Sequence, residues 1–458
     1  MTQERVDIVV IGGGAGGTPA AVRARQLGAE TMLIEKEHLG GACMNRGCIP
    51  VKTLLETARL YRAMRKADRF GLKVAPPEID WTAVMAKKDE TVKYLRMGTE
   101  SILKSNGVKI VRGQAVLTSP DRVKVGDREI SAKAIIMAAG AQYAPPAIDG
   151  IGLPGVIAPD DVLSMTGIPA SVAVLGSGPV ELELAQYLSF LGAKVTVIEE
   201  DQRILPEEPY RELSGRLQKD LKDQGLEIET KAVVERIASE DGGLAVTYSR
   251  KNQAVKLKVE KVLHARREPA LKGLGLEAAG LGGGLEVDER LRTRTPSILA
   301  IGDAAGGPFY SHRAAAMGIA AAENALGRGR PFDPDRLIRS VTTWPEAAAV
   351  GLTEKQAQKA GYNVTVGLIP YAINALGMIR LEATGMVKVV AEAEYGQVLG
   401  VHIVGPGASE LISEGALAVE MEATVDDLAE SVRYHPSFSE SQVDAAREAM
   451  GRGIYVMR

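Results

Sequence analysis

The first apolar run, Val6-Asp7-Ile8-Val9-Val10-Ile11, is short, β-branched and stopped by glycine, which predicts a strand buried on both faces of a parallel sheet. Gly12-Gly13-Gly14-Ala15-Gly16-Gly17 follows, then a helix from Thr18 to Leu27. A second short run, Thr31-Met32-Leu33-Ile34, ends on Glu35. The pattern recurs. Ser171-Val172-Ala173-Val174-Leu175 leads into Gly176-Ser177-Gly178-Pro179-Val180-Glu181, a helix to Phe190, then Lys194-Val195-Thr196-Val197-Ile198 and Glu199. The interval from first glycine to acidic residue is the same in both copies, 23 residues (35 − 12 and 199 − 176).

Strand, glycine loop, helix, strand and carboxylate form the dinucleotide-binding fingerprint. Gly12 permits the tight turn, Gly14 lets backbone approach a pyrophosphate, and Gly17 lets helix and strand pack closely. Glu35 accepts hydrogen bonds from a ribose. Two such units in one chain imply two dinucleotides, a flavin and a nicotinamide being the obvious pair. Ala134 to Gly140 reads as a strand returning to the first sheet, and Ala144-Pro145-Pro146 with Asp149-Gly150 as a crossing between domains. Ser297 to Asp303 reads as another buried strand, with a helix from Ser311 to Leu326. From Arg336 no glycine loop remains. Short strands, Gly385 to Ala391 and Gln397 to Val404, alternate with helices, Ala408 to Met421 and Ser439 to Met450. The expected fold class is α/β, two Rossmann-type dinucleotide-binding domains followed by a C-terminal α+β domain.

Charge and composition narrow the function. The net charge of −3 is built from interspersed signs, so no basic block argues for nucleic acid. No apolar run approaches a membrane span, and Met1-Thr2-Gln3-Glu4-Arg5 opens no secretory leader; a cytoplasmic protein is expected. There are only 2 cysteines in 458 residues, and both lie in Gly40-Gly41-Ala42-Cys43-Met44-Asn45-Arg46-Gly47-Cys48-Ile49-Pro50-Val51-Lys52. Positions five apart on a regular helix are too distant for a disulfide, so pairing requires irregular backbone between them, which Gly47 permits. A helix then starts near Cys48. So short a loop gains little stability from a disulfide, which favours redox chemistry. Two unrelated buried cysteines, or half of a metal site, are the alternatives; with 5 histidines and no other cysteine, zinc is poorly served.

These residues resemble the class I flavoprotein disulfide reductases, most closely their dihydrolipoamide dehydrogenase group. Gly40 to Lys52 is similar to the family's redox signature, with Ala42 and Val51 standing where hydroxylated residues are usual. Tyr434-His435-Pro436-Ser437-Phe438-Ser439-Glu440 resembles its C-terminal segment. Ala300-Ile301-Gly302-Asp303, Trp344-Pro345-Glu346, Val350-Gly351-Leu352-Thr353-Glu354 and Val404-Gly405-Pro406-Gly407-Ala408-Ser409-Glu410 match as well.

The resemblance implies FAD on Gly12, Gly14, Gly17, Gly41, Ala42, Ala139 and Gly140, with Glu35 on the adenosine ribose and Asp303 on the ribityl chain. It implies a Cys43–Cys48 disulfide against the flavin, Cys48 as charge-transfer thiol and Cys43 as the thiol exchanging with substrate. Lys52, buried and paired with Glu183, would stabilise the reduced ring. His435, held by Glu440, would reach the partner subunit's site in a homodimer, with Ser439 capping the following helix. NAD would lie on Gly176, Gly178 and Glu199. The implied domains are 1–148 (FAD-binding, first part), 149–270 (NAD-binding-like), 271–335 (return to the FAD domain) and 336–458 (dimerisation). The implied substrate is dihydrolipoamide on a lipoyl-carrying protein.

Other branches fit less well. The C-terminal stretch Met450 to Arg458 holds no second cysteine pair of the kind in mercuric reductase-like and large thioredoxin reductase-like enzymes. Glu199-Glu200-Asp201 stands where a glutathione reductase-like enzyme wants arginines.

The second glycine loop departs from the pattern. Glu181 replaces its third small residue, where a phosphate approaches; like charges about 5 Å apart at an effective dielectric near 20 repel by about 3 kcal/mol. His264-Ala265-Arg266-Arg267-Glu268-Pro269-Ala270 also lacks the glycine usual in the turn closing the nicotinamide domain. Arg266 or Arg267 is the candidate to neutralise Glu181. NAD affinity is therefore in doubt, and the alternative is a flavoprotein trading electrons with a protein partner or serving a complex as a lipoyl-binding subunit.

Overall fold

The computed structural model describes residues 3–206 and 211–456, which form two compact units. One comprises residues up to 145, 158–167 and 266–333; the other comprises 146–157, 168–265 and 334 onward. Met457 and Arg458, in the C-terminal stretch read above, lie outside the described residues.

The first unit is built on a seven-stranded sheet. Gln3–Ile11 sits in the middle, parallel to Thr31–Glu35 on one side and Arg128–Met137 on the other. Alternate residues of that central strand feed two cores. Val9 and Ile11 pack into one, Ile8 and Val10 into the other. This explains why the run is apolar throughout rather than alternating. Ile298–Ala300 also pairs with Arg128–Met137, and the Ile301 amide bonds the Met137 carbonyl at 3.0 Å. Asp303 is thereby delivered to the C-terminal edge of the sheet, beside the glycine loop, where open α/β sheets bind ligands.

In the second unit, Glu227–Thr230, Lys194–Glu199, Ser171–Leu175, Lys261–His264 and Val156–Ile157 form a parallel sheet in that order. Antiparallel strands Ala232–Glu240, Gly243–Arg250 and Gln253–Val259 make a separate sheet. Beyond residue 334 a five-stranded antiparallel sheet runs Arg339–Val341, Glu346–Gly351, Val398–Gly405, Met386–Glu392, Val364–Pro370. Helices Ala408–Glu420 and Glu440–Ala449 share its core, contributing Ile412 and Ala446 among others. The expected α/β class with a C-terminal α+β domain is what the chain adopts.

Helix Glu440–Ala449 lies directly on strand Val364–Pro370. A methyl group on Gly367 would fall 1.8 Å from the Ala445 carbonyl oxygen and 2.5 Å from the Ala449 amide. Both are helix backbone, so relief requires moving the whole helix. Gly367→Ala is expected to destabilise this unit by about 3 kcal/mol, read as a lowered urea midpoint at unchanged slope.

Candidate active site

Gly40 and Gly41 turn the chain with φ of 93° and 58° into one helical turn, Gly41–Asn45, which carries Cys43. Gly47 then resets the direction and Cys48 opens the helix Cys48–Arg65. A methyl on Gly47 would come within 3.2 Å of the Ala42 carbonyl oxygen. The break between helices brings both sulfurs together as half-buried thiols not joined in a disulfide. Hydrogen bonding to Cys48, with burial second, pushes the Cys43 thiol far above its ordinary value, while Ser311 and Lys52 pull the other way. Cys48 Sγ lies 3.3 Å from Ser311 Oγ. Asn45 braces the motif, donating to the Leu39 carbonyl at 3.0 Å and the Gly41 carbonyl at 2.8 Å. Its own oxygen accepts from Arg96 at 2.7 and 3.0 Å. Lys52, one turn beyond Cys48, is exposed. The burial expected for it is not found within this chain, where the helix buries Pro50, Val51, Leu54 and Ala58 instead.

The glycine loop beside the cysteines has room only for backbone. A methyl on Gly41 would lie 2.7 Å from Gly14 Cα, and one on Gly17 1.8 Å from the Gly12 carbonyl oxygen. Glu35 is buried, accepting from the Gly13 amide at 2.7 Å and the Glu37 amide at 2.8 Å. Ala139 and Gly140 follow the strand end at Met137. Burial raises the Asp303 carboxyl against the pull of Arg267 and Arg313. A bare-backbone cradle, a fixed carboxylate at the second strand and a half-buried carboxyl at the sheet edge fit a flavin dinucleotide.

The second unit repeats the design and breaks it at one point. Ser177 Oγ donates to Glu199 at 2.5 Å and the Asp201 amide to the same carboxylate at 2.8 Å. The helix, however, begins at Pro179, two positions earlier than its counterpart at Gly17. Proline is tolerated there because the first turn needs no amide donor. Glu181 folds back over the loop. One carboxylate oxygen sits 2.7 Å from where a side chain on Gly178 would begin, and the other lies 3.9 Å from the same point on Gly176. An acidic group thus occupies the positive end of the helix Pro179–Phe190.

Glu183 is buried in that helix, one carboxylate oxygen accepting from the Thr342 amide at 2.9 Å and hydroxyl at 2.7 Å. His435 is exposed, its Nδ1 donating to Glu440 Oε1 at 2.8 Å, while Oε2 accepts from the Ser437 amide at 2.7 Å. Ser439 occupies the cap position of the next helix without capping it; its hydroxyl bonds that of Ser437 at 2.9 Å. The 264–270 stretch is no open turn, because Arg267–Pro269 pairs with Ala141–Tyr143. Arg267 is engaged there, 3.8 Å from Asp303 and stacked over Phe309 at 4.8 Å. Among the described residues no cluster of three metal-ligating side chains occurs, and no helix is long and apolar enough to cross a membrane.

The sequence pattern of the pyridine nucleotide-disulphide oxidoreductases matches residues 6–329, and that of their dimerisation domain matches 338–446. The chain belongs to this family. It is 39% identical to the dihydrolipoyl dehydrogenase of Thermus scotoductus, the match covering 98% of this chain and 99% of that one. A dihydrolipoyl dehydrogenase of Bacillus subtilis is 34% identical over the same shares. Among solved structures, the HOCl-induced flavoprotein disulfide reductase RclA of Escherichia coli is 28% identical with a TM-score of 0.83, covering 96% of this chain and 99% of that one. This member of the pyridine nucleotide-disulphide oxidoreductases is an FAD-dependent disulfide oxidoreductase; the family's cofactors are FAD and NAD.

Sequence reading missed Ser311 and the Asn45–Arg96 brace. Nothing local announces either; Ser311 is 263 residues from Cys48.

Proposed function

We propose that the enzyme oxidises the dithiol of a lipoyl arm carried by another protein, in the cytoplasm, with NAD as final acceptor. The observation that carries this reading is the contact between two thiols at a helix N-terminus beside the flavin-type cradle. Thiol–disulfide exchange balances simply. A substrate thiolate attacks Cys43 in the oxidised Cys43–Cys48 pair, the second substrate thiol displaces it, and two cysteine thiols and a cyclic disulfide result. His435, oriented by Glu440, takes the first proton in the site of the partner subunit. FAD would be held by Gly12, Gly14, Gly17, Glu35, Gly41, Ala42, Ala139, Gly140 and Asp303, with Lys52 and Glu183 serving its reacting edge. Bound there, it supplies two-electron exchange between the cysteine pair and the acceptor.

Glu181 favours a second reading for the acceptor side. A carboxylate lying on Gly178 competes with a pyrophosphate for the same helix end. On this reading the enzyme keeps its dithiol chemistry but exchanges electrons with a protein partner, or serves a complex as its lipoyl-binding subunit. Anaerobic titration of the yellow protein separates the two. Dihydrolipoamide is expected to bleach the main flavin band and raise a long-wavelength thiolate–flavin band. Bleaching by NADH at equal speed supports NAD as acceptor, and its absence supports the partner. No response to dihydrolipoamide would remove the dithiol reading.

A further inference from the structure

We infer that Ser311 is a positioning residue for the redox pair, its hydroxyl donating a hydrogen bond to the Cys48 thiolate and setting the pH at which that thiolate forms. Ser311 opens the helix Ser311–Ala325, and Cys48 opens the helix Cys48–Arg65. The positive ends of two long helices therefore meet at one sulfur, and neither first turn contains an acidic residue to offset them. The hydroxyl stands 3.3 Å from Cys48 Sγ, within bonding distance for sulfur. When Cys48 is ionised, only the hydroxyl can donate. A donor that bonds the charged form better than the neutral one lowers a pKa.

The assignment rests on the dithiol reading only in making Cys48 the flavin-side thiol; the contact with Ser311 stands apart from it. The test uses the holoenzyme carrying Cys43→Ser, in which Cys48 is the single thiol. Its iodoacetamide alkylation rate is followed from pH 4 to 10, and the long-wavelength band is recorded over the same range. Adding Ser311→Ala is expected to raise the alkylation midpoint by about one pH unit, while Ser311→Thr keeps it. An unmoved midpoint in Ser311→Ala, or a threonine variant that behaves like alanine, overturns the inference. Should the alanine variant not fold, Ser311→Gly makes the same comparison. The band distinguishes the two claims. A shifted alkylation midpoint with no long-wavelength band at any pH upholds Ser311 and removes Cys48 from the flavin's side.

Discussion

Glu181→Gly is expected to speed anaerobic flavin reduction by NADH about a hundredfold at subsaturating nucleotide. The carboxylate stands over Gly178, where the first unit offers only the backbone of Gly14 and Gly17. About 3 kcal/mol of like-charge repulsion corresponds to roughly two decades in affinity. The gain belongs in the apparent affinity, because the charge opposes binding rather than the reaction. Glu181→Gln separates the two contributions. It removes the charge and keeps the bulk, so an intermediate gain assigns the remainder to steric blocking. Dithiol oxidation by an artificial acceptor stays unchanged in both variants, since neither touches the cysteines. Equal NADH rates in all three proteins would show that Glu181 does not control the site.

The two Rossmann units were legible because each is written within about 30 consecutive residues, and strand Ser171–Leu175 was placed to the residue. Local chemistry also announced the break at Gly47 and the helix starting at Cys48. Elements whose apolar faces meet distant partners were not legible. The helix Trp81–Ser105, which supplies Arg96, buries only Val92 and Leu103 and carries no strong apolar stripe. In the antiparallel strand Ala232–Glu240, a bulge between Val234 and Arg236 shifts the register and breaks the alternation that would announce it. Arg267 read as a possible counter-charge to Glu181, and the strand pairing with Ala141–Tyr143 turns it toward Asp303 instead. At Ser439 the rule for helix caps lost to a nearer partner, the Ser437 hydroxyl.

His435→Gln is expected to lower turnover with dihydrolipoamide by about a thousandfold while leaving the flavin spectrum and thiol count unchanged. Glutamine keeps the size of the ring and loses the proton exchange, so the defect lies in kcat and flattens its pH profile. Glu440→Gln is the milder partner. It keeps a hydrogen bond to Nδ1 and removes the carboxylate's charge beside the ring, with a loss of about tenfold. Mixed dimers test where His435 acts. In a two-fold dimer a Cys43→Ser subunit and a His435→Gln subunit share two sites. If His435 serves the partner's cysteines, one of those sites carries both defects and the other is intact. Unfolding and refolding an equal mixture should then restore about a quarter of wild-type activity, since half the dimers are hybrid. If His435 serves its own chain, every site keeps one defect and the mixture stays inactive. That outcome would overturn the exchange of His435 between subunits while leaving its role as base untouched.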